Sequence, residues 1–152
     1  MIESVLFVCL GNICRSPMAE FVMRDLLDKH GLSHIRVASA ATIFEEEGNP
    51  VHPGARRKLA EHGLSCAGKT SRRLTRADYA AYDLIIGMDS QNIRSMLRLF
   101  GGDPRHKIVK LLSFCGEAGD VADPWFTGDF DQTYRDVLRG CEALLERIQA
   151  KR

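Results

Sequence analysis

No stretch of this sequence stays apolar for long: the longest uninterrupted run is Val5 to Leu10, far below the ~20 residues a membrane-spanning helix requires. The run follows Glu3 rather than a basic segment and leads to no small-residue cleavage site, so it does not read as a secretory signal. A cytoplasmic location is expected. An excess of charge of one sign is equally absent. Lys and Arg number 21 against 20 Asp and Glu, a formal net charge of +1, so no global field would gather nucleic acid or an anionic membrane. Neither is an expected partner, and any anion must be caught locally. Cysteines are few, odd in number and scattered, at positions 9, 14, 66, 115 and 141, unlike the framework of a disulfide-stapled secreted domain. They are expected as thiols. No second pair of ligands matches Cys9 and Cys14 or His62 and Cys66, so neither zinc nor another metal is expected, and no cofactor.

What remains is ordinary globular composition, 45% hydrophobic and 27% charged over 152 residues, which predicts one folded domain over 1–152. Ser4 to Val8 is an apolar, β-branched run suited to a strand buried on both faces. Ser16-Pro17 reads as a helix start, Ser as N-cap and Pro at the first helical position. Ala19, Val22, Met23, Leu26 and Leu27 then recur at helical spacing until Gly31. A strand over Ile35–Ala38, a helix over Pro53–His62 ended by Gly63 and a helical turn at Thr75–Asp78 follow. After these come a strand over Asp83–Gly87, a helix capped by Asp89 or Ser90 and a strand over Ile108–Leu112. Tyr134, Val137, Leu138, Cys141, Leu144, Leu145 and Ile148 mark an amphipathic final helix. Alternating strands and helices predict an α/β fold: a three-layer sandwich with a four-stranded parallel sheet, helices on both faces and right-handed crossovers. In such sheets ligands bind at the carboxyl ends of the strands.

The segment Cys9-Leu10-Gly11-Asn12-Ile13-Cys14-Arg15-Ser16 occupies that position, between the first strand and the first helix. A loop entering a helix can turn successive N–H groups toward one point, where the positive end of the helix dipole adds to them. The Arg15 guanidinium fork suits the oxygens of a phosphoryl group. Phosphate is the expected anion, cradled by Leu10, Gly11, Asn12, Ile13, Cys14 and Ser16. In that field amide dipoles, Arg15 and the Ser16 hydroxyl all favour thiolate over thiol at Cys9, making it a nucleophile placed for in-line attack. Taken alone, Cys9 also fits the last small apolar residue of a buried strand, as free Cys often does.

The loop resembles that of the low-molecular-weight protein tyrosine phosphatases, whose pattern of Cys, five residues, Arg and Ser is matched from Cys9 to Ser16. Ser39-Ala40-Ala41-Thr42, Gly48-Asn49-Pro50, His62-Gly63, Asp83-Leu84-Ile85-Ile86, Met88-Asp89 and Asp123-Pro124-Trp125 extend the resemblance along nearly the whole chain. It implies hydrolysis of phosphotyrosine through a cysteinyl-phosphate, with Cys9 as nucleophile, Arg15 as phosphate clamp and Asp123 as general acid and base. An isolated Asp at such a place is otherwise a cap or turn residue, as Asp103-Pro104 reads after Gly101-Gly102. The resemblance further implies that Asn12 and Ser39 brace the loop and that Cys9 and Cys14 form a reversible, protective disulfide. As a buried structural thiol Cys14 needs no such role. Ser16 could donate to the thiolate, cap the helix, or both. Ile13, Phe44, Trp125 and Phe126 are the expected walls for an aryl ring. The implied partners are phosphotyrosine-containing proteins and a tyrosine kinase acting on them, with the enzyme a monomer or weak dimer.

The chain departs from the family pattern at Ile43-Phe44-Glu45-Glu46-Glu47, where a Gly and an aromatic are common. It also lacks an acid near Val51-His52-Pro53, a His near Lys69 and a Tyr after Asp123-Pro124. Rival readings are a phosphoarginine phosphatase, which would favour Thr where Ile13 stands, and a thiol-dependent arsenate reductase, which would need a further cysteine pair. Gly63 to Thr70 also matches a nucleotide-binding P-loop letter for letter, but that motif works only after a strand and before a long helix.

Overall fold

The computed structural model describes residues 1–152. Four parallel strands, β1 (Ser4–Cys9), β2 (Arg36–Ala41), β3 (Leu84–Gly87) and β4 (Ile108–Lys110), form one sheet in the order β2-β1-β3-β4. Helices α1 (Arg15–Lys29), α2 (Pro53–Glu61), α3 (Asp78–Ala81), α4 (Ser90–Phe100), α5 (Pro124–Thr127) and α6 (Phe130–Ala150) connect and cover it. The period-2 geometry of β1 distributes its side chains between two cores. Val5, Phe7 and Cys9 join Met18, Val22 and Met23 of α1 and Val137, Cys141 and Leu144 of α6, while Leu6 and Val8 join Met96 of α4. Because every β1 side chain is covered, the strand reads as a continuous apolar run. The chain leaves β1 toward β2 on one side and returns to β3 on the other, so the sheet's switch point lies at the carboxyl end of β1.

Several boundaries differ from the sequence reading. Strand β2 spans Arg36–Ala41, because pairing with β1 carries it to Ala41 opposite Cys9. Helix α1 begins at Arg15, leaving Ser16 and Pro17 inside its first turn; Cys14 holds the cap position with no side-chain cap. Helix α6 begins at Phe130 under the Asp129 cap, a turn and more before the first apolar marker, Tyr134. Strand β4 stops at Lys110, and Leu111–Cys115 turn into a 3₁₀ helix. Here tertiary packing overrides a β-like run: Leu111 is buried against α6, where a Cβ added to Gly140 would lie 2.4 Å from its Cγ. No helix is long and apolar enough to cross a membrane.

Candidate active site

The loop after β1 is held from outside. Asn12 has a φ of 56°, a left-handed conformation that Asn tolerates better than most residues. Its amide Nδ2 donates to Ser16 Oγ at 2.7 Å and to Ser39 Oγ at 2.9 Å, and its Oδ1 accepts from Arg72 N at 3.2 Å. Ser39 in turn donates to the buried Glu20, which also pairs with Arg24 at 2.6 Å and faces Lys69 at 3.5 Å. The loop carbonyls are tied outward as well. Thr42 N donates to Cys9 O, Ile43 N to Leu10 O, Ser71 Oγ to Gly11 O and His52 N to Ile13 O, at 2.8 to 3.2 Å. All peptides here are trans, so a carbonyl pulled outward turns the following N–H inward. None of the backbone N–H groups from Leu10 to Arg15 has an acceptor within the protein. The result is a concave array of donors at the start of α1, a site suited to an anion.

Cys9 Sγ stands at the base of that array, 3.0 Å from Ser16 Oγ and 3.4 Å from Ser16 N. Ser16 therefore turns its hydroxyl to the sulfur and does not cap the helix. Arg15 is only 2% exposed. Its Nη1 donates to Asp89 Oδ2 at 2.7 Å and to Val121 O at 3.0 Å, and its Nη2 to Asp123 Oδ2 at 3.3 Å. Burial acts to lower the Arg15 pKa, but Cys9, Asp89 and Asp123 together outweigh it and hold the guanidinium above its ordinary value. Asp89 serves two ends at once. Its Oδ1 accepts from Asn92 N at 2.8 Å in the capping box of α4, and its other oxygen orients Arg15. Asp123 is arranged alike: Oδ1 accepts from Trp125 N at 3.1 Å as the cap of α5, and Oδ2 faces Arg15. Capping and facing the cradle, which looked like rival fates for this residue, are fulfilled by different oxygens.

A cleft of about 200 Å³ opens above the cysteine, walled by Ile13, Ile43, Glu46, Trp125 and Phe126, with Asp123 at its side. Phe44, expected as a wall, is not one. The bond from Ile43 N to Leu10 O presses Ile43 against the loop, and Phe44 lies outside, exposed, beneath the Arg73 guanidinium at 5.6 Å. Cys14 is buried beside the cradle; burial first, then the charges of Cys9 and Asp123, push its thiol up to about 12. All five cysteines are free. Two residues to which the sequence assigns no role at the site matter here. Asp89, read as a cap and as part of the family resemblance but not as a site residue, lies 74 positions from the arginine it orients. His52 stands where the family tends to be acidic, yet its Nδ1 accepts from Gly54 N at 3.0 Å and caps α2. Its ring also stacks on Phe130 and meets Trp125 edge-on.

The segment Gly63 to Thr70 is not a nucleotide loop. Helix α2 precedes it and no helix follows directly. Lys69, the residue that would reach phosphates, points to Ser39 O at 3.1 Å and Glu20.

A doubly wound parallel sheet with a cysteine and an arginine framing an anion cradle at its switch point places this molecule among α/β proteins built to bind phosphate esters. Comparison with known proteins narrows that class. The family model for low molecular weight phosphotyrosine protein phosphatase matches residues 4–152, and the chain belongs to that family. It is 41% identical to the low molecular weight protein-tyrosine-phosphatase YfkJ of Bacillus subtilis, covering 98% of this chain and 97% of that one. The crystal structure of YfkJ superposes with a TM-score of 0.95 over 100% of this chain and 98% of its own. PtpA of Staphylococcus aureus, also a low molecular weight protein-tyrosine-phosphatase, is 37% identical over 95% of this chain and 92% of its own. A Drosophila arginine phosphatase is similar too, at 31% identity and a TM-score of 0.86, covering 97% of this chain and 98% of that one.

Proposed function

We propose that this protein hydrolyses phosphotyrosine in proteins, and small aryl phosphates, through a cysteinyl-phosphate. The observation that carries the reading is convergence on one cleft: the Cys9 sulfur, unpaired N–H groups from Leu10 to Arg15, the Arg15 guanidinium and the Asp123 carboxyl. In this mechanism the Cys9 thiolate, stabilised by the Ser16 hydroxyl and N–H, attacks phosphorus in line with the aryl oxygen. The loop N–H groups and Arg15 bind the three non-bridging oxygens, where charge is held through the transition state. The bond from phosphorus to the aryl oxygen breaks, and protonated Asp123 gives its proton to that oxygen, releasing the phenol. Asp123, now a carboxylate, takes a proton from a water that attacks the phosphocysteine. The sulfur–phosphorus bond breaks, leaving inorganic phosphate and the thiolate. Asn12 and Ser39 hold the loop in shape for both steps, and Asp89 aims Arg15 throughout.

Specificity follows from depth and lining. Cys9, a residue only 3% exposed at the floor of the cleft, is reached by the long side chain of phosphotyrosine more readily than by phosphoserine. Ile13 and Trp125 offer apolar faces to its ring. The similarity to an arginine phosphatase sustains phosphoarginine as a second substrate class, and the apolar Ile13 weighs toward the aryl ester. Cys9 and Cys14 are the only cysteines lining the cleft, which leaves an arsenate reductase without its relay. Rates on matched phosphotyrosine, phosphoserine and phosphoarginine peptides test the assignment. Phosphotyrosine is expected to be turned over fastest, with a covalent phosphoenzyme trapped by acid quench on Cys9; a faster rate on phosphoarginine would overturn it.

A further inference from the structure

A second cavity of about 400 Å³ adjoins the cleft, and Ile43 lines both. Three arginines, Arg73, Arg76 and Arg98, stand on its walls, and no carboxylate does. All three are exposed and none has a carboxylate within ion-pair distance, whereas the neighbouring Arg72 is taken up by Asp78 at 3.0 Å. The position of Arg73 is fixed. Ala41 N donates to Arg72 O and Leu74 N to Ala41 O, both at 2.8 Å, which docks this segment on the end of β2 immediately before the turn that forms the cleft wall. Arg98 enters from the opposite side on α4. Like charges gathered without counter-ions repel one another and create a local positive potential in a protein whose net charge is only +1. On the cleft itself, the carboxylate of Glu46 gives the mouth a negative edge. The entrance is therefore polarised, acid over the cleft and base in the groove beyond Ile43.

We propose that this arginine groove binds anionic side chains of the substrate next to its phosphotyrosine, so that the enzyme selects sites flanked by acidic residues. The proposal rests on the phosphatase reading. The guanidinium forks of Arg73 and Arg98 are suited to carboxylate or phosphate oxygens, so the groove takes either a flanking Glu or Asp or a flanking phosphoserine. Contact is made outside the reacting centre and holds ground state and transition state alike, so its effect falls on KM and leaves kcat unchanged.

The test compares phosphotyrosyl peptides that differ only in three flanking residues, all Glu, all Ala, all Lys, or Ala with one phosphoserine, alongside para-nitrophenyl phosphate. The expected result is kcat/KM about tenfold higher for the Glu or phosphoserine peptide than for Ala, carried by KM and shrinking as salt rises. Which of the two gains identifies the anion. In the Arg73→Glu/Arg98→Glu variant the preference disappears or inverts while para-nitrophenyl phosphate is hydrolysed at the unchanged rate, which also shows that the variant is folded. Equal kcat/KM for acidic and neutral peptides in the unaltered protein, or a preference that survives the double substitution, overturns the groove assignment alone. Failure to hydrolyse para-nitrophenyl phosphate at all overturns the phosphatase reading and the groove with it.

Discussion

The two sides of the cleft are built to opposite standards. On the cysteine side almost everything is buried and tied: Asn12 and Ser16 are 1% and 0% exposed, and the carbonyls of Cys9, Leu10, Gly11 and Ile13 are bonded to the turn after β2, to Ser71 and to His52 at the cap of α2. On the aspartate side the chain is more lightly anchored, by Val121 N to Met88 O at 2.9 Å, Arg15 Nη1 to Val121 O at 3.0 Å, Thr133 Oγ1 to Ala122 O at 3.3 Å and the Asp123 carboxyl to Arg15. Trp125 and Phe126, next to it, are 58% and 77% exposed. The difference follows from what each side must do. A cradle for a multiply charged group acts through dipoles that are already oriented, and reorientation during the reaction would cost the stabilisation it supplies. In the proposed mechanism Asp123, as the acid, meets leaving groups of different shapes, which a short helix on an exposed arm accommodates.

The contrast is tested most severely at Cys9. Cys9→Ser is expected to lose all measurable phosphate release while still binding a phosphotyrosyl peptide, since the N–H array and Arg15 remain; calorimetry reads the binding and phosphate assay the rate. Loss of binding together with rate would mean that the sulfur builds the cradle rather than occupying it. On the other arm, Asp123→Asn keeps the cap of α5 and removes the proton. Its kcat is expected to fall by about 10²- to 10⁴-fold on phosphotyrosine, and by much less on aryl esters of acidic phenols, whose oxygen leaves without help. A loss independent of leaving group would place Asp123 with the clamp instead of the acid.

Substitutions one layer out separate the two sides by stability rather than rate. Asn12→Ala strips donors from Ser16 and Ser39 in a region without solvent and removes the side chain that supports a left-handed backbone. A destabilisation of about 1–3 kcal/mol is expected, measured by denaturant unfolding, with activity falling alongside. Trp125→Ala on the exposed arm is expected to leave the unfolding midpoint in place and raise KM a few-fold for phosphotyrosine peptides. Equal loss of stability at both positions would erase the distinction.

How far the sequence revealed this arrangement depends on the range of each interaction. The cradle was legible because its parts are consecutive: a buried strand, Cys9 to Ser16 and a helix behind it. Asp123, whose carboxyl lies at the cleft, was singled out by its Pro and aromatic neighbour, through family resemblance rather than spacing. The Arg15–Asp89 and Ser71–Gly11 links were not legible, since they join positions distant in sequence and leave no periodic trace. Phe44 was misplaced for a local reason of another kind. In a turn, which of two adjacent apolar residues faces the cleft is set by one backbone bond, here Ile43 N to Leu10 O. The start of α2 at Pro53 was legible, but the cap was not, because imidazole is an uncommon cap where Asp or Ser is the usual one.

The smallest expected effect crosses between the two sides. Cys14 belongs to the tied side, yet after burial and Cys9 the charge of Asp123 on the opposite arm is the next influence raising its pKa, from 9.0 to about 12. Above pH 9.0 the unfolded chain releases this proton while the folded chain keeps it, so stability is fully present below that pH and declines as pH rises toward about 12. Cys66, Cys115 and Cys141 are shifted upward too, so the informative quantity is a difference. Between pH 8 and about 10.5 the unfolding free energy of Cys14→Ser is expected to fall less steeply than that of the unaltered protein. Adding Asp123→Asn to the unaltered background is expected to leave the onset at 9.0, which the unfolded chain sets, and to make the decline level off at a slightly lower pH on profiles carried to about 12, because one of the charges opposing the Cys14 thiolate is gone. Parallel pH profiles for all three proteins would mean that the thiol is insulated from the arm, and that the two sides of the cleft share a substrate but no electrostatic coupling.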